Sequence, residues 1–280
     1  MWRRYGLSAC GALMALAVLL GLGLPGGAHS EQIASAATRA RSQANVADAR
    51  TVPTPRGKPV FDATFRGSHL NTKIWNTCYP WSSKPDCTNF GNHEEAEWYL
   101  PSQVHVSGGL LHLLARRERT VGTTSTGARK VYGCRSGMIT SYPGFKFKYG
   151  FVQVVADIPH AKGLWPALWL AAANLTFPPE IDMVESWGVD AKTGSFYHPV
   201  TGHHSRAIYS PKLTVGWHTY SLSWTRSKLA FYVDKKLVLT VTKNVPRQRM
   251  YFLADLAEYL PAKRGYCTGQ LMIKSVKIWK

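Results

Sequence analysis

The sequence has few acidic residues and few cysteines, and beyond its N-terminus it has no long apolar run. Asp and Glu number 16 against 34 Lys and Arg in 280 residues, so the formal net charge is +18. Glycine (24) and proline (16) are at ordinary levels, which excludes a collagen-like or low-complexity chain. Hydrophobic residues make up 45% and charged residues 18%, which excludes a wholly disordered protein.

The N-terminal apolar run has the layout of a secretory signal peptide. Two arginines precede a run from about Leu7 to Leu24, and a Pro-Gly-Gly sequence breaks it. Small residues at the −3 and −1 positions predict cleavage after Ser30. A membrane anchor is the alternative, but the run is short for a span of ~20 residues. We therefore expect residues 1–30 to be removed from a secreted protein that keeps no membrane span.

Four cysteines remain after this cleavage, and an even number in an exported chain indicates two disulfides. Three pairings are possible, of which we favour Cys78–Cys87, a short loop clip, together with Cys134–Cys267. No paired Cys-x-x-Cys spacing indicates a zinc site. We expect no metal and no cofactor.

Short β-rich stretches between turn residues predict an all-β sandwich or barrel. Residues 31–58 read as a leader or linker, and 59–280 as a single domain without internal repeats. A hairpin turn is expected near Asp234-Lys235-Lys236, and helical periodicity is brief, around 255–260. The predicted strands include 104–106, 110–114, 145–149, 151–158, 220–224, 229–233, 237–241 and 272–279.

The segment from Glu180 to Glu185 carries three acids within six residues. In a strand, Glu180 and Asp182 share one face and Ile181 points the other way. Strict alternation would turn Glu185 to the wrong face, and a β-bulge at Met183-Val184 would restore it. An acidic solvent face is the alternative, but strands disfavour Asp and Glu, and three like charges on one face lack a structural reason.

Clustered carboxyls keep one acid protonated near neutral pH. Glycoside hydrolysis needs this division, with one carboxylate as nucleophile and one carboxylic acid as proton donor. Tryptophans nearby could stack on sugar rings: Trp165 is the first candidate, then Trp187, with Trp169 nearer to a core role and Trp98 at the edge of the cleft.

The Glu180–Glu185 motif resembles the bulged signature of glycoside hydrolase family 16. The Gly-Leu-Trp-Pro-Ala-Leu-Trp-Leu segment from Gly163 resembles another segment of that family, and further landmarks follow in order, including Trp217-His218-Thr219-Tyr220. The resemblance covers roughly residues 59–280. It implies a lectin-like (concanavalin-type) β-jelly-roll sandwich of two antiparallel sheets with a concave substrate cleft.

The resemblance also implies a retaining endo-β-glycanase. Glu180 would be the nucleophile, Glu185 the general acid/base, and Asp182 would tune the nucleophile between them. By family position, His218 would lie near the cleft. Two departures stand out: Asp255 to Leu260 replaces a family Asn-x-Ala-Val-Gly-Gly stretch, and Lys274 stands where many members carry an Asp that helps to hold a structural calcium.

The expected partner is a polysaccharide, β-1,3-glucan or mixed β-1,3/1,4-glucan, acted on by a monomer. Alternatives are a galactan (agarose or carrageenan) hydrolase, a transglycosylase, a non-catalytic carbohydrate-binding sandwich, or a structural wall protein. Residues 235–280 hold ten Lys or Arg against two acids, which favours an anionic polymer or envelope, or is a solvated basic surface. No recognition motif indicates nucleic-acid binding.

Overall fold

Strands make up nearly all regular structure in the computed structural model, which describes residues 52–81, 95–124, 127–187, 192–259 and 267–280. Two 3-10 helices, Pro101–Gln103 and Pro211–Leu213, are the helical elements of these ranges. No helix within them combines the length and the apolar character that a bilayer span requires. The strands in chain order are β1 (Phe61–Thr64), β2 (Glu97–Tyr99), β3 (Val104–Ser107), β4 (Leu110–Arg116), β5 (Thr120–Thr123), β6 (Arg129–Tyr132), β7 (Cys134–Ser136), β8 (Met138–Thr140), β9 (Gly150–Asp157), β10 (Leu164–Ala172), β11 (Glu180–Trp187), β12 (Lys192–His198), β13 (Ser205–Tyr209), β14 (Trp217–Trp224), β15 (Leu229–Val233), β16 (Lys236–Val241), β17 (Met250–Glu258) and β18 (Thr268–Trp279).

Two large sheets hold most of these strands. The ten-stranded sheet runs β16-β15-β14-β9-β18-β4-β7-β2, with β1 added to β18 and β3 to β4. The six-stranded sheet runs β13-β12-β11-β10-β17-β8, and β5 and β6 form a separate hairpin. Pairing among the described strands is antiparallel except between β2 and β7, which are parallel. The all-β sandwich is confirmed, with this one pair departing from two purely antiparallel sheets.

The core lies between the two large sheets, because alternate residues of their central strands point inward. Val152 and Val154 of β9 are buried in the same cluster as Phe252 and Leu256 of β17, which belongs to the other sheet. Each large apolar side chain buried in this way contributes roughly 1.5–3 kcal/mol. Packing of the core thereby determines which side chains of the six-stranded sheet face outward.

Two of the secondary-structure predictions, one strand and one helical pattern, are wrong. Residues 145–149 form no strand but a single bridge, Phe147 to Met250, because the backbone turns at Tyr149 with a left-handed φ of 60°. The brief helical pattern around 255–260 falls on the end of strand β17, which extends to Glu258. The hairpin turn is confirmed: β15 ends at Val233, Asp234 takes a φ of 53°, and β16 begins at Lys236.

One of the two expected disulfides is formed within the described residues. Cys134 at the start of β7 bonds to Cys267, just before β18, and the two are 133 positions apart in the sequence. Cys87 lies outside the described residues, so the Cys78–Cys87 bridge remains a prediction. Residues 1–51, with the expected signal peptide and most of the expected leader, also lie outside them.

Removing the Cys134–Cys267 cross-link should destabilise the domain, because it closes a long loop in the unfolded chain. We expect Cys134→Ala/Cys267→Ala to lower the free energy of unfolding by about 2–5 kcal/mol in urea titrations. Either single Cys→Ala variant should lose nearly as much as the double, since each removes the same bond. A double variant as stable as the wild type would contradict this role.

Candidate active site

A β-bulge in β11 brings the three acids to one face. Asp182 pairs with Phe196 of β12, but Glu185, three residues on, pairs with Gly194, only two residues away on that strand. The β10 side shows the same extra residue, because Leu168 pairs with Val184 and Trp169 with Asp182. The bulge therefore lies at Met183-Val184, where the spacing of the acids predicts it.

The apolar residues of the same strand point into the core. Ile181, Met183 and Val184 are at most 2% exposed and belong to the cluster between the sheets. The two glutamates, Glu180 and Glu185, are partly exposed on the opposite face. Two consecutive core residues are possible here only because the bulge interrupts the alternation.

Glycine is required opposite Glu185. A Cβ at Gly194 would lie 2.7 Å from the Ala207 carbonyl oxygen and 2.7 Å from the Phe196 ring. No side chain fits at this position, because β12 and β13 approach each other closely beside the acid.

Two side chains from neighbouring strands contact the acids. The Trp165 Nε1 of β10 donates a hydrogen bond of 3.0 Å to Glu185 Oε1. His198 Nε2, at the end of β12, lies 3.4 Å from Asp182 Oδ2 and 3.9 Å from Glu180 Oε1. The indole thus orients one glutamate, and the imidazole lies between the other two acids.

Burial and mutual repulsion raise the pKa of all three acids. Burial raises the pKa of Asp182 well above its usual range, since its side chain is only 2% exposed. Burial first, and then the charges of Asp182 and Glu185, raise the pKa of Glu180. Burial and the charge of Asp182 raise the pKa of Glu185, while the Trp165 hydrogen bond acts in the opposite direction. Burial and repulsion among neighbouring carboxylates thus disfavour ionisation of all three groups at once.

His198 is a site residue that sequence reasoning missed. It lies at the end of β12, whereas His203 and His204, a few residues further on, are both exposed. The antiparallel pairing of Glu180 with His198 places the imidazole against the acids. Burial lowers the pKa of His198, so the imidazole is neutral at neutral pH. The sequence does place a histidine in the strand that follows the acidic strand. It does not show the strand register that brings His198 beside the acids.

Asp255 is a second missed acid and lies on β17, two strands from Glu185 with β10 between them. It pairs with Ala167, which also pairs with Glu185, so the three residues lie in one row across the sheet. The Trp169 Nε1 donates a 2.5 Å hydrogen bond to Asp255 Oδ2. Burial raises the pKa of Asp255 to about 7 despite this bond. The one indication of Asp255 in the sequence was that the stretch from Asp255 departs from the family pattern.

Glu97 of β2 is fully buried beside this row. Its Oε2 accepts the backbone N–H of Glu258 at 2.6 Å, and burial raises its pKa to about 8. Its carboxyl therefore stays protonated in the folded protein at neutral pH.

The predicted tryptophans divide into cleft and covered positions. Trp165 and Trp187 are partly exposed, with ring centroids 6.0 Å apart, and Trp187 also packs edge-on against Phe196 at 4.8 Å. Trp169 faces the same side as the acids but is 7% exposed beneath Tyr79. The open indoles beside the acids are thus Trp165 and Trp187.

Two predicted contacts do not fit the structure. Trp98 is 1% exposed, packed against Tyr132 and directly under Gly122 of the β5–β6 hairpin, so no sugar ring can stack on it. His218 lies on β14 of the ten-stranded sheet, where its Nδ1 bonds Asp234 at 2.8 Å. Trp98 was expected at the cleft edge and His218 near the cleft by family position, but burial covers the first and sheet assignment places the second on the other sheet.

One group of side chains near the acids has the donor atoms of a metal site. Glu180, Asp182 and His198 have potential ligand atoms within 4.8 Å of one another, a set that suits a divalent transition metal. The position that helps to hold calcium in many family members is occupied here by Lys274. Its ammonium group cannot bind calcium, which requires oxygen ligands. A calcium ion is therefore not supported at Lys274.

A β-sandwich that presents three carboxyls beside open indoles on one sheet defines a carbohydrate-active protein of the jelly-roll class. The chain belongs to glycosyl hydrolases family 16, whose sequence profile matches residues 94–257.

Relatives and solved structures agree with this assignment. The endo-1,3-1,4-beta-glycanase EglC of Rhizobium meliloti is 29% identical over 208 residues, covering 69% of this chain and 44% of that protein. The beta-1,3-glucan-binding protein of Penaeus monodon is 29% identical over 56% of this chain and 49% of its own length. This chain thus spans about half, or less, of these relatives. The laminarinase catalytic domain of Thermotoga maritima superimposes with a TM-score of 0.67 at 25% identity, over 80% of this chain and 98% of that domain.

The buried Glu97 should make stability depend on pH. In the unfolded chain this carboxyl ionises near its ordinary pKa, whereas the folded protein holds its proton up to about pH 8. Unfolding between these values releases a proton, so the free energy of unfolding falls as pH rises from about 5 to about 8. Urea titrations should show a smaller fall for Glu97→Gln than for the wild type. The control Glu118→Gln alters a side chain that is 53% exposed and should keep the full fall; an equal fall in both variants would contradict the assignment.

Proposed function

We propose that the chain is an exported, retaining endo-β-glucanase that hydrolyses β-1,3-glucan or mixed β-1,3/1,4-glucan. The observation that carries the proposal is the bulged strand, with Glu180 and Glu185 on one face and Asp182 between them. The names of EglC and of the Thermotoga maritima laminarinase support the glucan substrate. The Cys134–Cys267 disulfide supports export, because such bonds persist in oxidising compartments.

In the first step, the Glu180 carboxylate attacks the anomeric carbon while Glu185 protonates the departing glycosidic oxygen. The bond to the leaving sugar breaks, and a covalent glycosyl ester forms on Glu180. In the second step, the Glu185 carboxylate takes a proton from water, whose oxygen attacks the same carbon and releases Glu180. Two inversions at one carbon give net retention.

The neighbours of the acids support these roles. Glu185 must exchange a proton in each half of the cycle. The Trp165 N–H donates a hydrogen bond to its Oε1, so the exchange is assigned to Oε2. Asp182 is the most buried of the three, and as a carboxylic acid it can donate a hydrogen bond to the Glu180 carboxylate. The neutral His198 contacts Asp182 without adding positive charge beside the nucleophile.

The non-catalytic alternative has one relative in its favour, the glucan-binding protein of Penaeus monodon. A binding protein has no need of a proton donor and a nucleophile together. The hydrolysis experiment below separates the two functions, because a binding protein would retain laminarin without releasing reducing ends.

Glu180→Gln should abolish reducing-end release from laminarin and mixed-linkage glucan, because an amide is not a nucleophile. Loss of a catalytic carboxylate is expected to lower kcat by ~10⁴-fold or more. Glu185→Ala should regain turnover with azide and an activated aryl glucoside, giving a β-glycosyl azide. Glu118→Gln is the surface control and should keep wild-type activity. Activity in Glu180→Gln, or an initial product of inverted configuration by NMR, would contradict the mechanism.

Trp165→Phe should shift the pH profile. The variant keeps an aromatic ring but loses the N–H that favours ionised Glu185, so the pKa of Glu185 rises. The basic limb of kcat/KM, which reports loss of the acid's proton, should move to higher pH. Trp187→Phe is the matched control, since the Trp187 indole donates no hydrogen bond to the three acids, and its limb should not move. A shift to lower pH in Trp165→Phe would contradict the acid/base role of Glu185.

A further inference from the structure

A groove on the ten-stranded sheet lies apart from the acids, which are carried by the six-stranded sheet. Its cavity has a volume of about 550 Å³ and opens between β14, β9, β18 and the turn that joins β3 to β4. Val155, whose neighbours Val154 and Ala156 point into the core, forms part of its outward-facing floor. The groove therefore does not belong to the candidate active site.

Two backbone features open this groove. The register of β18 shifts between Ile273 and Ser275, so Lys274 is an extra, exposed residue between two buried ones. The turn residues Gly108 and Gly109 take φ values of 58° and 77°, and no atom lies within 4 Å of the place where a Cβ would stand. The bulge in β18 thus places Lys274 on the outer face. Gly108 and Gly109 have no side chains to fill the groove.

Trp217 forms an apolar wall of the groove. It is 44% exposed and is the one tryptophan among the large hydrophobic residues exposed in the described ranges. An open indole face is costly to hydrate and suits the flat C–H face of a pyranose ring. The neighbouring Val215 is 63% exposed, so the apolar surface continues beyond the wall.

The charged groups of the groove are both positive. Arg66 and Lys274 line it, and its lining contains no carboxylate; Asp157, the cross-strand partner of Trp217, is outside it. Neither basic side chain forms an ion pair or a side-chain hydrogen bond with the described residues. Lys277, further along β18, differs in this respect, because it lies 3.5 Å from Asp62. Within the described ranges, Arg66 and Lys274 thus have no ion-pair partner.

We propose that this groove is a second carbohydrate site that binds a polysaccharide carrying carboxylate or sulfate groups. One sugar ring stacks on Trp217, and an anionic group of the same chain lies between Arg66 and Lys274. A guanidinium presents paired N–H donors that match a carboxylate or sulfate, and an ammonium adds a point charge. The net charge of +18 draws a polyanion to the surface, but the groove gives it a specific place.

Such a site would hold the protein on an anionic matrix while the acid-bearing sheet remains free. This role adds to the proposed hydrolysis and does not depend on it, because the two sites lie on different sheets. Binding can therefore be measured without turnover.

The experiment measures the affinity of the full chain for polygalacturonate, dextran sulfate and neutral dextran by titration calorimetry at physiological ionic strength. Arg66→Glu/Lys274→Glu should weaken binding of at least one polyanion about tenfold or more, because two charge-assisted contacts become repulsive. The charge-matched control is Arg226→Glu/Lys235→Glu, which reverses two exposed basic residues in the turns at either end of β15. We expect the control to weaken binding less than about twofold, by general screening alone.

Trp217→Ala tests the stacking contact without a change in charge. It should weaken binding of the same polyanion severalfold and leave hydrolysis of laminarin unchanged. Equal weakening by the two double variants would overturn the site in favour of diffuse electrostatic attraction. Unaltered binding in Trp217→Ala would overturn the carbohydrate contact, and equally tight binding of neutral dextran would overturn the anionic ligand. Circular dichroism of each variant separates these outcomes from misfolding.

Discussion

The extra residue in β11 is the constraint on which the candidate active site depends. Without it, Glu185 would point to the core side with Ile181, and an acid would replace an apolar residue between the sheets. An unpaired charge there costs several kcal/mol, so the strand would slip or the acid would stay protonated. With the bulge, Met183 and Val184 both enter the core, and all three acids face outward. Packing of the core and presentation of the acids are therefore one structural requirement.

The same arrangement places the acids where water is scarce. Burial and mutual repulsion raise the pKa values of Glu180, Asp182 and Glu185, and Asp255 and Glu97 extend this behaviour across neighbouring strands. Buried carboxyls reduce stability as they ionise, and the large core and the Cys134–Cys267 cross-link offset this. Burial of the acids in this site therefore comes at the expense of stability.

The two sheets carry different kinds of candidate site. The six-stranded sheet gathers acids and aromatic rings, whereas the groove on the ten-stranded sheet gathers Arg66, Lys274 and Trp217. A bulge makes each site: one in β11 turns Glu185 outward, and one in β18 frees Lys274. In a sandwich, an extra residue changes what one face presents while the other face keeps its packing.

The sequence by itself determined the all-β class, the bulged acid motif and the hairpin at Asp234, and it narrowed the disulfides to three pairings. The first three depend on local periodicity and turn chemistry, which act over short distances, whereas the fold selected the Cys134–Cys267 pairing. Tertiary structure alone decided that His198 and Asp255 join the acids, because strand register brings together residues remote in the chain. It also decided that Trp98 is covered and that His218 belongs to the other sheet. A period of two tells which residues share a face of one strand, but only sheet order and register determine what lies beside them.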